Sequence, residues 1–385
     1  MASFLLAIIY LSFISLGLPD ALLGAAWPIM HLDLGVSVSM AGGISLIISA
    51  GTVISSLMSD RMTKWLGSGK VTAFSVAMTA LALFGFATSR HYWMLCLWAI
   101  PYGLGAGSVD ASLNNYVALH YESRHMSWLH CMWGLGASVG PYIMGLALTR
   151  GMGWNLGYGM ISGLQVVLTV GLFLSLPMWK NHTDEAVEGG AKAQTLSLKQ
   201  IFAIRGAKEV LLAFFCYCAL EQTAILWGSS YLVVNNGMDE ETAASLASLF
   251  LMGLTAGRAL NGFLTYKLSD SNLIRLGQGI IGMGIVIMLL PLGDAASFAG
   301  LMLCGLGCAP IYPCIIHSTP THFGEANSQA LIGVQMASAY IGICCMPPIF
   351  GLIANSLSAS LLPWYLGAIL LLMVVMSEQL NKKCG

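Results

Sequence analysis

Residues 180–208 read KNHTDEAVEGGAKAQTLSLKQIFAIRGAK, the longest polar stretch in the chain. Its Gly, Ala and charge content reads as a flexible linker, with a short amphipathic piece near 197–205. Outside it the sequence changes character. Six apolar runs precede it, near 4–28, 38–59, 70–89, 92–118, 127–149 and 155–178. Six follow, near 209–234, 242–266, 272–291, 296–317, 328–354 and 359–378. A helix crosses a bilayer with about 20 mostly apolar residues, whereas a barrel strand needs only about 10 and alternates in polarity. These runs are long and do not alternate, so they predict helices. The expected fold is an all-α membrane protein. Twelve transmembrane helices form two pseudo-symmetric six-helix bundles, 1–179 and 209–385, joined by the linker 180–208.

Composition agrees. Of 385 residues, 9% are charged and 57% hydrophobic, and the mean hydropathy is +0.78. A soluble domain carries roughly 25% charge, so a soluble enzyme is excluded. Sixteen Lys and Arg against 17 Asp and Glu give no basic excess for a nucleic acid. No GxxxxGK[ST] phosphate loop occurs, so ATP is not the direct energy source within this chain. Most of the ten Cys sit in apolar runs and no CxxC occurs, so neither a metal nor a redox cofactor is expected. Residues 1–9 lack Lys and Arg, and the first run reads as a retained span rather than a cleaved signal.

Orientation follows from the loop cations. With the N-terminus in the cytoplasm, thirteen loop Lys and Arg fall inside, and only Arg90 and Arg150 fall outside. Both termini are therefore expected to be cytoplasmic, in an inner or plasma membrane.

The two halves also echo each other. Gly103-Leu104-Gly105 matches Gly305-Leu306-Gly307 at an offset of 202, and Gly136, Pro141 and Gly145 match Gly342, Pro347 and Gly351 at 206. The stretch from Ser56 matches the one from Gly262, again at 206. Parallel six-helix repeats around a midplane site are a transporter architecture.

At this point the chain resembles the major facilitator superfamily. DRMTKWLGSGK at 60–70 is similar to that superfamily's loop motif between its second and third helices, with Ser56 in place of the usual opening Gly. The resemblance implies that Asp60 and Arg61 latch helix ends during the conformational cycle. A finer resemblance is to the fucose-permease-like branch of sugar–proton symporters. It rests on GLPDALLGAAWP with Asp20, GLGAGSVDASLNNYV with Asp110 and Asn114, and LHCMWGLGASVGP in the fifth run. The branch usually has Glu where Asp110 stands, which shortens the acid's reach.

Four ionisable residues lie deep in the runs: Asp20, Asp110, Glu221 and Arg258. Each costs roughly 2.5–3.5 kcal/mol at the bilayer centre, a cost usually tolerated for function. Asp20 lines up with Leu16, Gly24 and Trp27 at helical spacing, and Asp110 shares a face with Gly103, Gly107 and Asn114. Both are expected to couple protons, the alternative being interhelical glue. The glycines beside Asp110 admit either a neighbouring helix or a ligand. Glu221 and Gln222 suit substrate binding or an interhelical hydrogen bond. Arg258 is expected to snorkel or to pair a gate carboxylate, placing it with Asp60 and Arg61 in gating. Trp27, Trp133 and Tyr312 are candidate stacking surfaces, and Asn114, Asn115 and Gln335 candidate hydrogen-bonding groups. His130 and His317 lie near cytoplasmic ends, where a solvated His is ordinary.

The reading is a monomeric secondary transporter, with no cofactor beyond a coupling proton. Its partners are the lipid bilayer and a small neutral polar solute, and the resemblance implies a sugar. The alternative is a proton-coupled exporter of drugs or metabolites, with 22 Met and many aromatics to suit an adaptable pocket. A receptor that binds without transport is a third class.

Overall fold

The computed structural model describes residues 2–187, 195–291 and 293–384. Residues 188–194, the middle of the expected linker and with them Lys192, lie outside the described residues.

The first half contains α1 (Ala2–Gly17), α2 (Leu22–Asp33), α3 (Ala41–Leu66), α4 (Ser68–Thr88), α5 (Tyr92–His120), α6 (Ser123–Thr149) and α7 (Gly153–Val187). After α8 (Leu198–Ala203) come α9 (Ala207–Asn236), α10 (Glu240–Leu264), α11 (Asp270–Leu289), α12 (Asp294–Cys308), α13 (Ile311–Phe323), α14 (Glu325–Ser356) and α15 (Leu362–Cys384). α1 with α2 makes one crossing, as does α12 with α13, so the chain crosses twelve times. Ten crossings are long and apolar enough to span by length and composition alone. The other two, α5 and α10, carry Asp110, Asn114 and Asn115, and Glu240, Glu241 and Arg258. α8 is the amphipathic piece of the linker. Ser197 caps it, accepting from the Gln200 amide, while the Gln200 side chain accepts from the Ser197 amide at 2.9 Å.

Helices satisfy their own backbone, which lipid requires. Their outward faces carry Leu46, Phe84, Val167, Leu174, Met252 and Leu371, all largely exposed. So much exposed apolar surface fits contact with acyl chains, not water.

The chain divides into two compact units. One holds 1–116 and 132–195; the other holds 117–131 and 196–385. Within each unit small residues bring backbones together, and the internal repeat reappears as repeated crossings. A methyl group on Gly103 of α5 would overlap the Ile48 carbonyl of α3, and one on Gly305 of α12 would overlap the Phe250 carbonyl of α10. Both contacts are displaced by the same 202 residues. Gly136 and Gly140 of α6 likewise abut the Ile14 and Leu18 carbonyls, while Gly342 of α14 abuts Phe215 of α9. Gly103→Val and Gly305→Val should each destabilise the fold by about 1–3 kcal/mol through overpacking. Thermal denaturation in detergent checks this. Gly163→Ala and Gly279→Ala, where a methyl meets open space, should leave the melting midpoint unchanged.

The motif at 60–70 is not a loop. α3 continues through Asp60, Arg61 and Lys64 to Leu66, and the only connecting residue is Gly67, at φ 80° and ψ 153°. Asp60 is buried, with one carboxylate oxygen 2.9 Å from Lys64 Nζ and the other without a hydrogen-bond partner among the described residues. Arg61 is exposed.

Candidate functional site

Two polar centres among the described residues, one in each unit, hold the deep ionisable groups. In the first, the chain unwinds at residues 18–21, between α1 and α2. Pro19 is the cause. It has no N–H to donate to the carbonyl four residues back, and its ring crowds that carbonyl. The acceptor left over is Ser15 O, and Gln165 of α7 supplies the donor, Nε2, at 2.8 Å.

Asp20 stands in this break, exposed, rather than inside the continuous helix the sequence suggests. Trp133 Nε1 of α6 donates to its carboxylate at 2.7 Å, and the Tyr102 hydroxyl of α5 is a second hydrogen-bond partner. The break also resets the helical register. Trp27 lies beyond the break, inside α2. It is 4% exposed, and its indole N–H donates to Val38 O at 2.7 Å, holding the far end of α2. Beneath the break a small cavity, lined by Ser15, Pro19, Thr79, Tyr102 and Gln165, has room for about one water molecule.

Asp110 is buried and accepts from Asn114 Nδ2 at 2.8 Å, one turn along α5. The glycines on its face admit a helix. A methyl on Gly107 would meet the Thr52 carbonyl and the Ser55 and Ser56 hydroxyls of α3. Asn115 is buried as well.

The second unit's centre is built on α9, which is unbroken from Ala207 to Asn236. Glu221 accepts from the Tyr217 hydroxyl one turn earlier, and Arg258 Nη2 of α10 lies 3.6 Å from its carboxylate. The Arg258 side chain is 4% exposed. It does not snorkel; it is paired inside the unit. Tyr312 of α13 stacks beside this pair, its ring centroid 4.7 Å from Phe214, 5.9 Å from Tyr217 and 4.4 Å from His130. Gln222 is half-buried on the next position of α9. Trp227 turns away, donating to Pro347 O at 3.0 Å. Gln335 is fully buried and bonded to Thr319 at 3.1 Å. That bond ties α13 to α14.

Chemically, the first centre offers a carboxylate in a helix break with two aromatic hydrogen-bond partners. The second offers a charge-balanced Glu–Arg pair walled by aromatic rings. The sequence reading misses Tyr102, Tyr217, Phe214 and Gln165. Tyr217 was within reach, four residues before Glu221 and so on its face. Gln165, a lone amide in an apolar run, was a second signal.

Known proteins share the fold. The family model of the Major Facilitator Superfamily matches residues 9–294. Bypass of stop codon protein 6 of Saccharomyces cerevisiae is 22% identical, over 91% of this chain and 77% of its own. The glucose/mannose transporter GlcP of Bacillus subtilis is 25% identical over 63% of this chain, which spans 60% of that protein's length. The 3-(3-hydroxy-phenyl)propionate transporter of Escherichia coli is 27% identical over 66% of this chain and 61% of its own. Among solved structures, the Escherichia coli fucose:proton symporter FucP superposes with a TM-score of 0.76 at 17% identity, covering 97% of this chain and 98% of that one. The proton:xylose symporter XylE gives 0.76 at 11% identity, covering 96% and 94%.

Proposed function

Since the chain belongs to the major facilitator superfamily, we propose that it is a proton-coupled secondary transporter of a small, neutral, hydroxyl-rich solute of the sugar class. It works by alternating access in a cell membrane, with its basic helix ends and both termini in the cytoplasm. The observation that carries the substrate class is the Glu221–Arg258 pair. Arg258 is the only Lys or Arg deep in a span, and Glu221 already balances it. An anionic substrate would have to displace Glu221 from it. A neutral polyol needs only a donor and an acceptor side by side, and a ring face finds Tyr312, Tyr217 and Phe214. The proton falls to Asp20, the carboxylate in the helix break, held by Trp133 and Tyr102.

The aromatic wall also supports a second reading, an exporter of amphipathic or aromatic compounds. Proteoliposomes separate the two. Under an inward proton gradient, labelled hexoses should accumulate. If hexoses are ignored while amphipathic dyes are expelled, the sugar reading fails and the exporter stands.

A further inference from the structure

His317 and Asp270 have no part in the transport reading above, yet they form a polar cluster that joins three elements of the second unit. His317 Nδ1 lies 2.6 Å from Asp270 Oδ2, and His317 Nε2 lies 3.2 Å from the Tyr121 carbonyl. The other Asp270 oxygen accepts from the Ser123 hydroxyl at 2.5 Å. Tyr121 and Ser123 form the turn between α5 and α6, so one His–Asp pair ties that turn to both α11 and α13. The two side chains are 21% and 16% exposed, within reach of solvent protons.

The proton count follows from donors and acceptors. A carbonyl oxygen only accepts, so Nε2 must carry a hydrogen to bond Tyr121. Nδ1 then faces a carboxylate, and that bond also needs a hydrogen, carried by the ring or by the acid. Either way the pair holds one proton more than a neutral imidazole beside a carboxylate. Remove it, and one of the two bonds is lost.

We propose that His317 and Asp270 are a proton-binding site separate from Asp20, which clasps the α5–α6 turn to α11 and α13 when loaded and releases it when empty. Other groups around the site are the Cys314 thiol and His322, both near Asp270 along α13. On the turn side stand His125, beside Tyr121, and Arg124, paired with Glu122 at 3.2 Å and donating to the Tyr266 hydroxyl at 2.5 Å. The same segment has anchors that need no added proton. Asn261 Nδ2 donates to Ser127 Oγ at 2.7 Å, and Trp128 packs on Phe263. Losing the proton therefore loosens the turn without detaching α6. The sign is fixed: a fall in pH on that face closes the clasp, and a rise opens it.

Amide hydrogen exchange on the full-length protein in lipid nanodiscs, corrected for intrinsic rates, tests this between about pH 5.5 and 8.5. Peptides covering 117–125 should exchange about tenfold faster at the alkaline end, as expected for loss of one charge-assisted bond. Peptides of α9 should not respond. His317→Gln should abolish the pH response, as should Asp270→Asn if the first variant fails to fold. A wild-type response that is flat, or one that survives in both variants, overturns the proposal. The same series in Asp20→Asn keeps the two readings apart, because the clasp should respond there even where proton-driven transport is gone.

Discussion

Asp20→Asn should abolish uphill accumulation of substrate while leaving downhill exchange across the membrane intact. The asparagine keeps the shape of the side chain, and its carbonyl can still accept from Trp133 Nε1, now at 2.7 Å from the carboxylate. What it lacks is a site for a proton. With one proton moved per solute, each pH unit of gradient supports about tenfold accumulation, because a factor of ten corresponds to about 1.4 kcal/mol. In the variant the internal-to-external ratio should fall to one, and counterflow of labelled substrate should persist. Asp110→Asn is the comparison. Asp110 is buried against Asn114 on the face that crosses α3, so its loss should weaken the fold more than the coupling. Undiminished accumulation in Asp20→Asn, measured in proteoliposomes, would move the coupling site elsewhere.

The second large effect lies in the other unit. Arg258→Gln leaves the Glu221 carboxylate without its cation, and Glu221→Gln leaves a guanidinium whose side chain is 4% exposed. Breaking such a pair from one side costs about 3–5 kcal/mol, whereas removing both charges is often nearly neutral. Each single variant should therefore melt well below the wild type, and the double variant should recover most of the loss. Substrate affinity should not recover with stability, because donor and acceptor are both altered. A double variant that melts no higher than the singles would mean that the two charges do not compensate each other.

Legibility in the sequence followed the physics of each feature. Run length reports on solvent, and it disclosed the twelve helical crossings. Close helix crossings need residues without side chains, so the glycine repeat pointed to Gly103 and Gly305. The break at 18–21 was harder, because Leu18 and Ala21 are as apolar as the helix around them. Only Pro19 marks it, and proline alone need not break a helix: α5, α6 and α7 contain Pro101, Pro141 and Pro177 without interruption. Pairings such as Glu221 with Arg258, 37 residues apart on separate helices, carry no local spacing signal. Trp27 and Gln335 were assigned by type and depth. Their helices are apolar nearly all round, so the sequence does not say which face looks into a cavity.

Gly67 joins α3 to α4 alone, and Gly324, at φ 81° and ψ 148°, does the same for α13 and α14. Both adopt a backbone that disfavours any side chain. This bears on biosynthesis. A one-residue hinge leaves two helices almost no slack for inserting independently of each other. α3 with α4, and α13 with α14, should therefore enter as preformed hairpins. These two corners are also the poorest places on the chain to graft a tag, a reporter or a protease site.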